Sequence, residues 1–441
     1  VIGRNAGLPL HLTSATMLRV SAEGVATALV LTVQARTGHA ATAGYLQTAM
    51  TLPYVLSGPV IGNALDRVAR PRRGAVALAA CYAASTGLLL VLAGRSPLAL
   101  ALVVAAVIGC TEPIVVALTS LLPRFVPAGR LSRAYGLEAS SYNLAGIAGP
   151  GLAAGLAAVA GGQYAGTAVV AVGVLGLLTL PFLPFPGPSA SADAAAPGAA
   201  AAAVEAAADT GAVGGRAAAI ETETGPEARP PMAGALSVIT GGLVVLAQGR
   251  VLRALTVATT LAWMGFGGVA VTAVLLAGHI GASPSAGGRL LVAMAVGSLI
   301  GSLASSRWLT PRHAEPVMIA GLVAFGASLA ALAAAPSMPW ATAAFVAAGI
   351  AEGPVFAATL MLRQRESPPD RLGQVNTTGG SLKIGASAVG AALTAASADA
   401  IGPVGLVLAI AGFQFAGALF GYLLLRAPAR EGRAGVVEDG S

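Results

Sequence analysis

Twelve runs of mostly apolar residues, closed off by Arg, Pro or Gly, dominate this chain, and about 20 such residues suffice to carry a helix across the ~30 Å hydrocarbon layer of a bilayer. They fall near residues 9–33, 42–64, 74–93, 98–122, 137–160, 165–184, 251–276, 287–306, 317–335, 339–362, 375–397 and 403–425. A segment in lipid must satisfy its own backbone polar groups, which leaves helices and closed barrels as the options. The ten-residue alternation of barrel strands does not occur in these runs. The expected fold class is therefore an all-α integral membrane protein of twelve transmembrane helices. Only 10% of the 441 residues are charged and 56% are hydrophobic, against roughly 25% charged in soluble domains, so an ordinary water-soluble enzyme is excluded.

The formal net charge of +7 acquires its meaning from where the basic residues lie. Arg36, Arg95 and Arg289 belong to odd-numbered connections, Arg19 and Lys383 fall inside spans, and the remaining 20 of the 25 flank the even-numbered connections and tails. By the positive-inside rule both termini are expected on the cytoplasmic side of the inner cell membrane, with the lipid bilayer rather than nucleic acid as the partner of this charge. Cys81 and Cys110 sit in apolar runs without paired spacing, and the four histidines are scattered. Neither a disulfide framework nor a metal site is expected, and no cofactor is implied. Arg19 and Glu23 make the first run too polar for a signal-peptide core, so it is read as a span.

Residues 185–235 interrupt the runs with Pro, Ala, Gly and scattered acids. The expected division is an N-terminal six-helix half over 1–184, a flexible cytoplasmic linker over 185–250, a C-terminal six-helix half over 251–425 and a tail over 426–441. The halves echo one another. At an offset of 241, Pro113, Arg130-Leu131, Ser140 and Gly149 meet Pro354, Arg371-Leu372, Ser381 and Gly390; at 239, Gly58, Gly62 and Arg73 meet Gly297, Gly301 and Arg312. Six spans per repeat is an even number, so the copies have parallel orientation.

After the second span, Gly62-Asn63-Ala64-Leu65-Asp66-Arg67-Val68-Ala69-Arg70 resembles the loop motif of the major facilitator superfamily, Gly-x-x-x-Asp-Arg-x-Gly-Arg-Arg, with Ala69 and Pro71 departing from it. Gly58 and Gly62 permit close helix packing, and Asp66 beside Arg67 and Arg70 is expected to build a charge network that one conformation holds and another releases. In the fifth span, Gly146, Gly149, Pro150 and Gly155 resemble the Gly-Pro motif of that superfamily's antiporters, a candidate bend or packing pivot. Generic small-residue packing explains the segment equally well. Leu122-Pro123-Arg124 with Arg130-Leu131 is similar to its bacterial exporters, although the Arg many antiporters place in the fourth span would fall at Ala105. The resemblance implies two pseudo-repeated six-helix halves around a central cavity lined by spans 1, 4, 7 and 10, working as a monomer.

Carboxylates in a bilayer core are costly and face a partner or a water-filled cavity. Glu23, Glu112 and Glu352 stand near the middle of spans 1, 4 and 10 and are the candidates for proton coupling or substrate binding. Arg19, four residues before Glu23, is either part of that machinery or its ion-pair partner. Lys383, the only lysine, either pairs with one of these acids or snorkels to the interface. Glu138 opens span 5, where a role at the helix start is expected. Trp263 and Phe266 are candidate cavity-wall residues.

The function these features point to is secondary active transport, with proton-coupled efflux of a small amphipathic or cationic compound ahead of a nutrient importer or a sensor that no longer transports. No Gly-x-x-x-x-Gly-Lys-Ser/Thr loop speaks for ATP-driven pumping, and no nucleophile and base spacing speaks for an enzyme.

Overall fold

The computed structural model describes residues 7–38, 41–68, 71–124, 126–183, 234–282 and 286–427. Arg70 and most of the expected linker lie outside these residues. Every regular element among them is helical: α1 (Gly7–Thr37), α2 (Ala41–Arg67), α3 (Pro71–Leu92), α4 (Leu98–Thr111), α5 (Ile114–Ala117), α6 (Leu131–Ala160), α7 (Ala165–Thr179), α8 (Ala235–Gln248), α9 (Arg250–Phe266), α10 (Val269–His279), α11 (Ala286–Trp308), α12 (Ala314–Ala330), α13 (Met338–Glu366) and α14 (Leu372–Arg426), with short 3₁₀ turns. Each of the twelve runs coincides with helix. Among the described residues nine helices are long and apolar enough to cross a membrane.

Four runs show why the helix count differs from the span count. The 55-residue α14 would be roughly 80 Å long if straight, far more than a bilayer. It folds back at Gly402, whose φ of +64° only glycine adopts cheaply, followed by Pro403, so it supplies spans 11 and 12. Span 4 is α4, α5 and a 3₁₀ turn through Arg124, interrupted at Glu112-Pro113. Span 7 is α9 and α10 broken at Gly267-Gly268, where a Cβ on Gly267 would run into the Ser387 carbonyl. Pro354, by contrast, leaves α13 continuous, so the bend expected beside Glu352 does not appear as a break.

The expected linker ends earlier than residue 250. Ala235–Gln248 forms α8, at 106° to α9, because its apolar positions have a surface to bury: Val245 and Leu246 pack with Leu252 and Val375. Gln374 Nε2 donates to the Val238 carbonyl at 2.6 Å.

Packing repeats as the sequence does. Gly149 of α6 presses on the Val20 carbonyl and Gly24 of α1, and its counterpart Gly390 of α14 presses on the Met264 carbonyl of α9. Gly109 against Met50 in the first half is matched by Gly349 against Met294 in the second. The two halves meet through α2 on α14 and α6 on α11. One apolar cluster joins them at the arginine-rich end, combining Leu122, Tyr135 and Ala139 with Val251, Leu309 and Met361. At the opposite end the clusters around Leu46 and Val104, and around Leu290 and Phe345, each belong to one half.

Candidate functional site

The first half contains a buried ion pair that local sequence spacing did not reveal. Arg19, 1% exposed, pairs with the buried Glu138, 119 residues away, rather than being held by Glu23. His11 Nε2 lies 3.2 Å from the same carboxylate. The guanidinium also donates to Ser141 Oγ, to Thr119 Oγ1 at 3.0 Å and to the Val115 carbonyl at 3.2 and 3.3 Å. Thr119 in turn donates to Glu138 at 2.8 Å, and the Tyr142 ring covers the guanidinium at 3.7 Å. Glu138, expected at a helix start, is thus the centre of a network tying α1, α6 and span 4 together. Nearly every donor and acceptor in it is used, which is the condition under which a buried pair is tolerable.

Glu23 and Glu112 are different. They are near enough for their charges to act on one another, and Tyr54 and Tyr82 lie in the field of both. Neither carboxylate is within 4 Å of a basic group among the described residues. Glu23 is exposed one turn along α1 from Arg19, and Glu112 is half-buried at the break of span 4.

The second half holds a small cavity that gathers residues singled out separately in the sequence: Trp263, Phe266, Glu352 and Lys383. Thr259, Ala262, Trp263 and Phe266 form an i, i+3, i+4, i+7 stripe on α9, and Glu352, Val355, Phe356 and Thr359 form the same stripe on α13. Lys383 Nζ stands 4.6 Å from the Trp263 ring and 4.7 Å from the Phe356 ring. It is 5% exposed and buried in the protein, so it does not snorkel to the interface. Glu352 lies in its field and near the Ser298 hydroxyl, yet no ion pair within 4 Å joins Glu352 and Lys383. Phe356 and Tyr142 stack edge to face at 5.2 Å, so the lysine pocket touches the arginine network across the boundary between halves. Sequence reasoning missed Phe356, although its position four residues after Glu352 was the available signal. Arg363, one residue past the expected end of span 10, is 3% exposed and packs against Gly379.

Asp66 accepts hydrogen bonds from the backbone N–H groups of Gly373 and Gln374, both at 2.9 Å. The expected partnership with Arg67 is therefore replaced by a cap on the N-terminus of α14, whose free N–H groups favour an anion. Arg67 instead donates to Asn63 at 2.9 Å. The two motif glycines bring the backbones close enough for this cap: a Cβ on Gly62 would meet the Gly373 carbonyl, and one on Gly58 the Ser381 hydroxyl. In the Gly-Pro segment only Gly149 is in close packing; Gly146 and Gly155 have nothing within 4 Å of a notional Cβ, and α6 runs through Pro150 unbroken.

A relative in Sinorhizobium fredii, described as an uncharacterized MFS-type transporter, y4rN, is 26% identical over 393 residues, covering 88% of this chain and 87% of that protein. Among solved structures, the human organic anion transporter MFSD10 (TETRAN) superposes with a TM-score of 0.70 at 16% identity over 96% of this chain and all of that one. The proton:xylose symporter XylE gives 0.70 at 12% identity, covering 96% and 97%. A bacterial homologue of the iron transporter ferroportin, in an outward-facing state, gives 0.63 at 14% identity over 95% and 98%. These structural likenesses establish the fold. The Major Facilitator Superfamily profile matches residues 12–249 and 255–439, and the chain belongs to that superfamily of membrane transporters.

Proposed function

We propose that this protein is a secondary active transporter that couples proton influx to outward movement of a small amphipathic compound by alternating access. The observation that carries the reading is the pair Glu23 and Glu112: two carboxylates in one another's field, inside membrane-crossing helices, with the neighbouring arginine already committed to Glu138. Such acids are suited to load and release protons as access alternates. The joined arginine-rich end and separate opposite ends of the halves fit a state closed towards the cytoplasm, with both termini on that side of the inner membrane.

The test is compound-driven proton flux in proteoliposomes with a pH-sensitive dye inside. We expect Glu112→Gln and Glu23→Gln each to lower coupled flux by at least about a hundredfold, in the range for loss of an essential proton-transfer group, while inserting normally. Unchanged flux in both variants rejects the proton-coupling assignment.

A further inference from the structure

We infer that the transported compound carries an anionic group, such as a carboxylate, on an apolar body, and that Lys383 holds that group in the cavity between α9, α13 and α14. The inference rests on the transport reading above and names its substrate class.

Three observations converge on this. First, the ammonium of Lys383 is unpartnered: among the described residues it has no hydrogen-bond acceptor and no carboxylate within 4 Å, only the faces of Trp263 and Phe356. Three donors at a site 5% exposed are costly to leave without an acceptor. Ring faces attract the charge but accept no strong hydrogen bond. A bound carboxylate supplies what is missing.

Second, the local charge is unbalanced. Lys383 lies in the field of Arg363 as well as Glu352. Arg363 is itself buried and has no ion pair among the described residues. Two cations stand against one acid that is within ion-pair distance of neither. With Lys383 protonated, the site is positive even beside an ionised Glu352, which repels a cationic compound and attracts an anionic one. Arg19 offers no such opportunity, because Glu138, Thr119, Ser141 and Val115 use its donors.

Third, the walls define the rest of the molecule. Phe266, Leu322, Phe325 and Val355 present apolar surface beside the lysine. Such walls favour an apolar body attached to the carboxylate.

The experiment uses the full chain with Trp308→Phe and Trp340→Phe, which leaves Trp263 as the single tryptophan of the three and makes its fluorescence a direct readout of the cavity. The probes are 4-phenylbutyrate, its primary amide and 4-phenylbutylamine, which share one frame and differ in charge. We expect the carboxylate to saturate at a concentration at least about tenfold lower than the amide, and the amine to bind weakest. Lys383→Met should erase the difference between carboxylate and amide, and Lys383→Arg should retain it. Amide or amine binding as tight as the carboxylate in the parent protein overturns the inference, with no variant needed. So does an unchanged carboxylate preference in Lys383→Met, or absence of binding by all three probes. Because binding needs no gradient, the two readings fail separately. Anion-selective binding without proton movement would strike the coupled-transport reading alone; proton-coupled movement of amines alone would strike this one.

Discussion

Arg19 and Lys383 are both cations buried in membrane-crossing helices, both lie against aromatic rings, and they stand on opposite sides of the contact between Tyr142 and Phe356. Their surroundings differ in one respect. Arg19 meets a carboxylate, two hydroxyls and a backbone carbonyl, and its carboxylate partner has His11 and Thr119 as well. Lys383 meets two rings and an acid held at a distance. Burial alone therefore does not make a charge functional: satisfied partners fix structure, and missing ones leave capacity for a ligand or a proton. The same division separates Glu138 from Glu23 and Glu112.

The largest expected effect comes from breaking the satisfied cluster. Arg19→Met strands Glu138 in the interior and should cost about 3–5 kcal/mol, whereas Arg19→Met combined with Glu138→Leu removes both charges and should recover part of that loss. Lys383→Met strands no carboxylate and keeps a similar shape, so its cost should stay below about 1.5 kcal/mol. Thermal melting of the purified variants in detergent checks the order. A Lys383→Met variant as unstable as Arg19→Met would erase the distinction drawn between the two clusters.

That distinction was only partly legible beforehand. The twelve crossings were readable because each needs a long apolar run, and the Gly402-Pro403 reversal carries its signal in two residues. Glu23, Glu112, Glu352, Lys383, Trp263 and Phe266 stood out because polar or aromatic groups in such runs are few. What pairs with what did not, since Arg19 and Glu138 are 119 residues apart, and local spacing instead offered Glu23, one turn away. Arg363 was hidden by lying one residue past an apolar run. Helix α8 was hidden because a short apolar stretch after a polar linker reads as part of that linker until Val375 and Gln374 give it a surface.

Intermediate effects should follow the glycines. Gly149→Ala forces a Cβ against the Val20 carbonyl and the backbone at Gly24, both fixed by helix geometry, and should cost about 1–3 kcal/mol. Gly146→Ala, one turn away in the same segment, meets open space and should change stability by no more than about 0.5 kcal/mol. Equal melting temperatures for the two would mean that the segment is not a packing point between α1 and α6.

A smaller effect than that of Gly149→Ala is the most informative about motion. Arg19 and Glu138 lie within one half and should stay paired as access alternates, whereas Asp66 reaches from α2 to the Gly373 and Gln374 N–H groups of the other half and must let go when the arginine-rich end opens. Asp66→Ala removes a helix cap worth about 1 kcal/mol, roughly a fivefold shift between two states. On the alternating-access reading proposed above these hydrogen bonds belong to the closed state, so the shift should favour opening of that end. Spin labels at positions 68 and 370, both exposed, with Cys81 and Cys110 replaced, should show a larger population of long distances in Asp66→Ala. An unchanged distance distribution would mean that the carboxylate cap does not bias the closed state and that the close fit of Gly58 and Gly62 on α14 holds that end by itself.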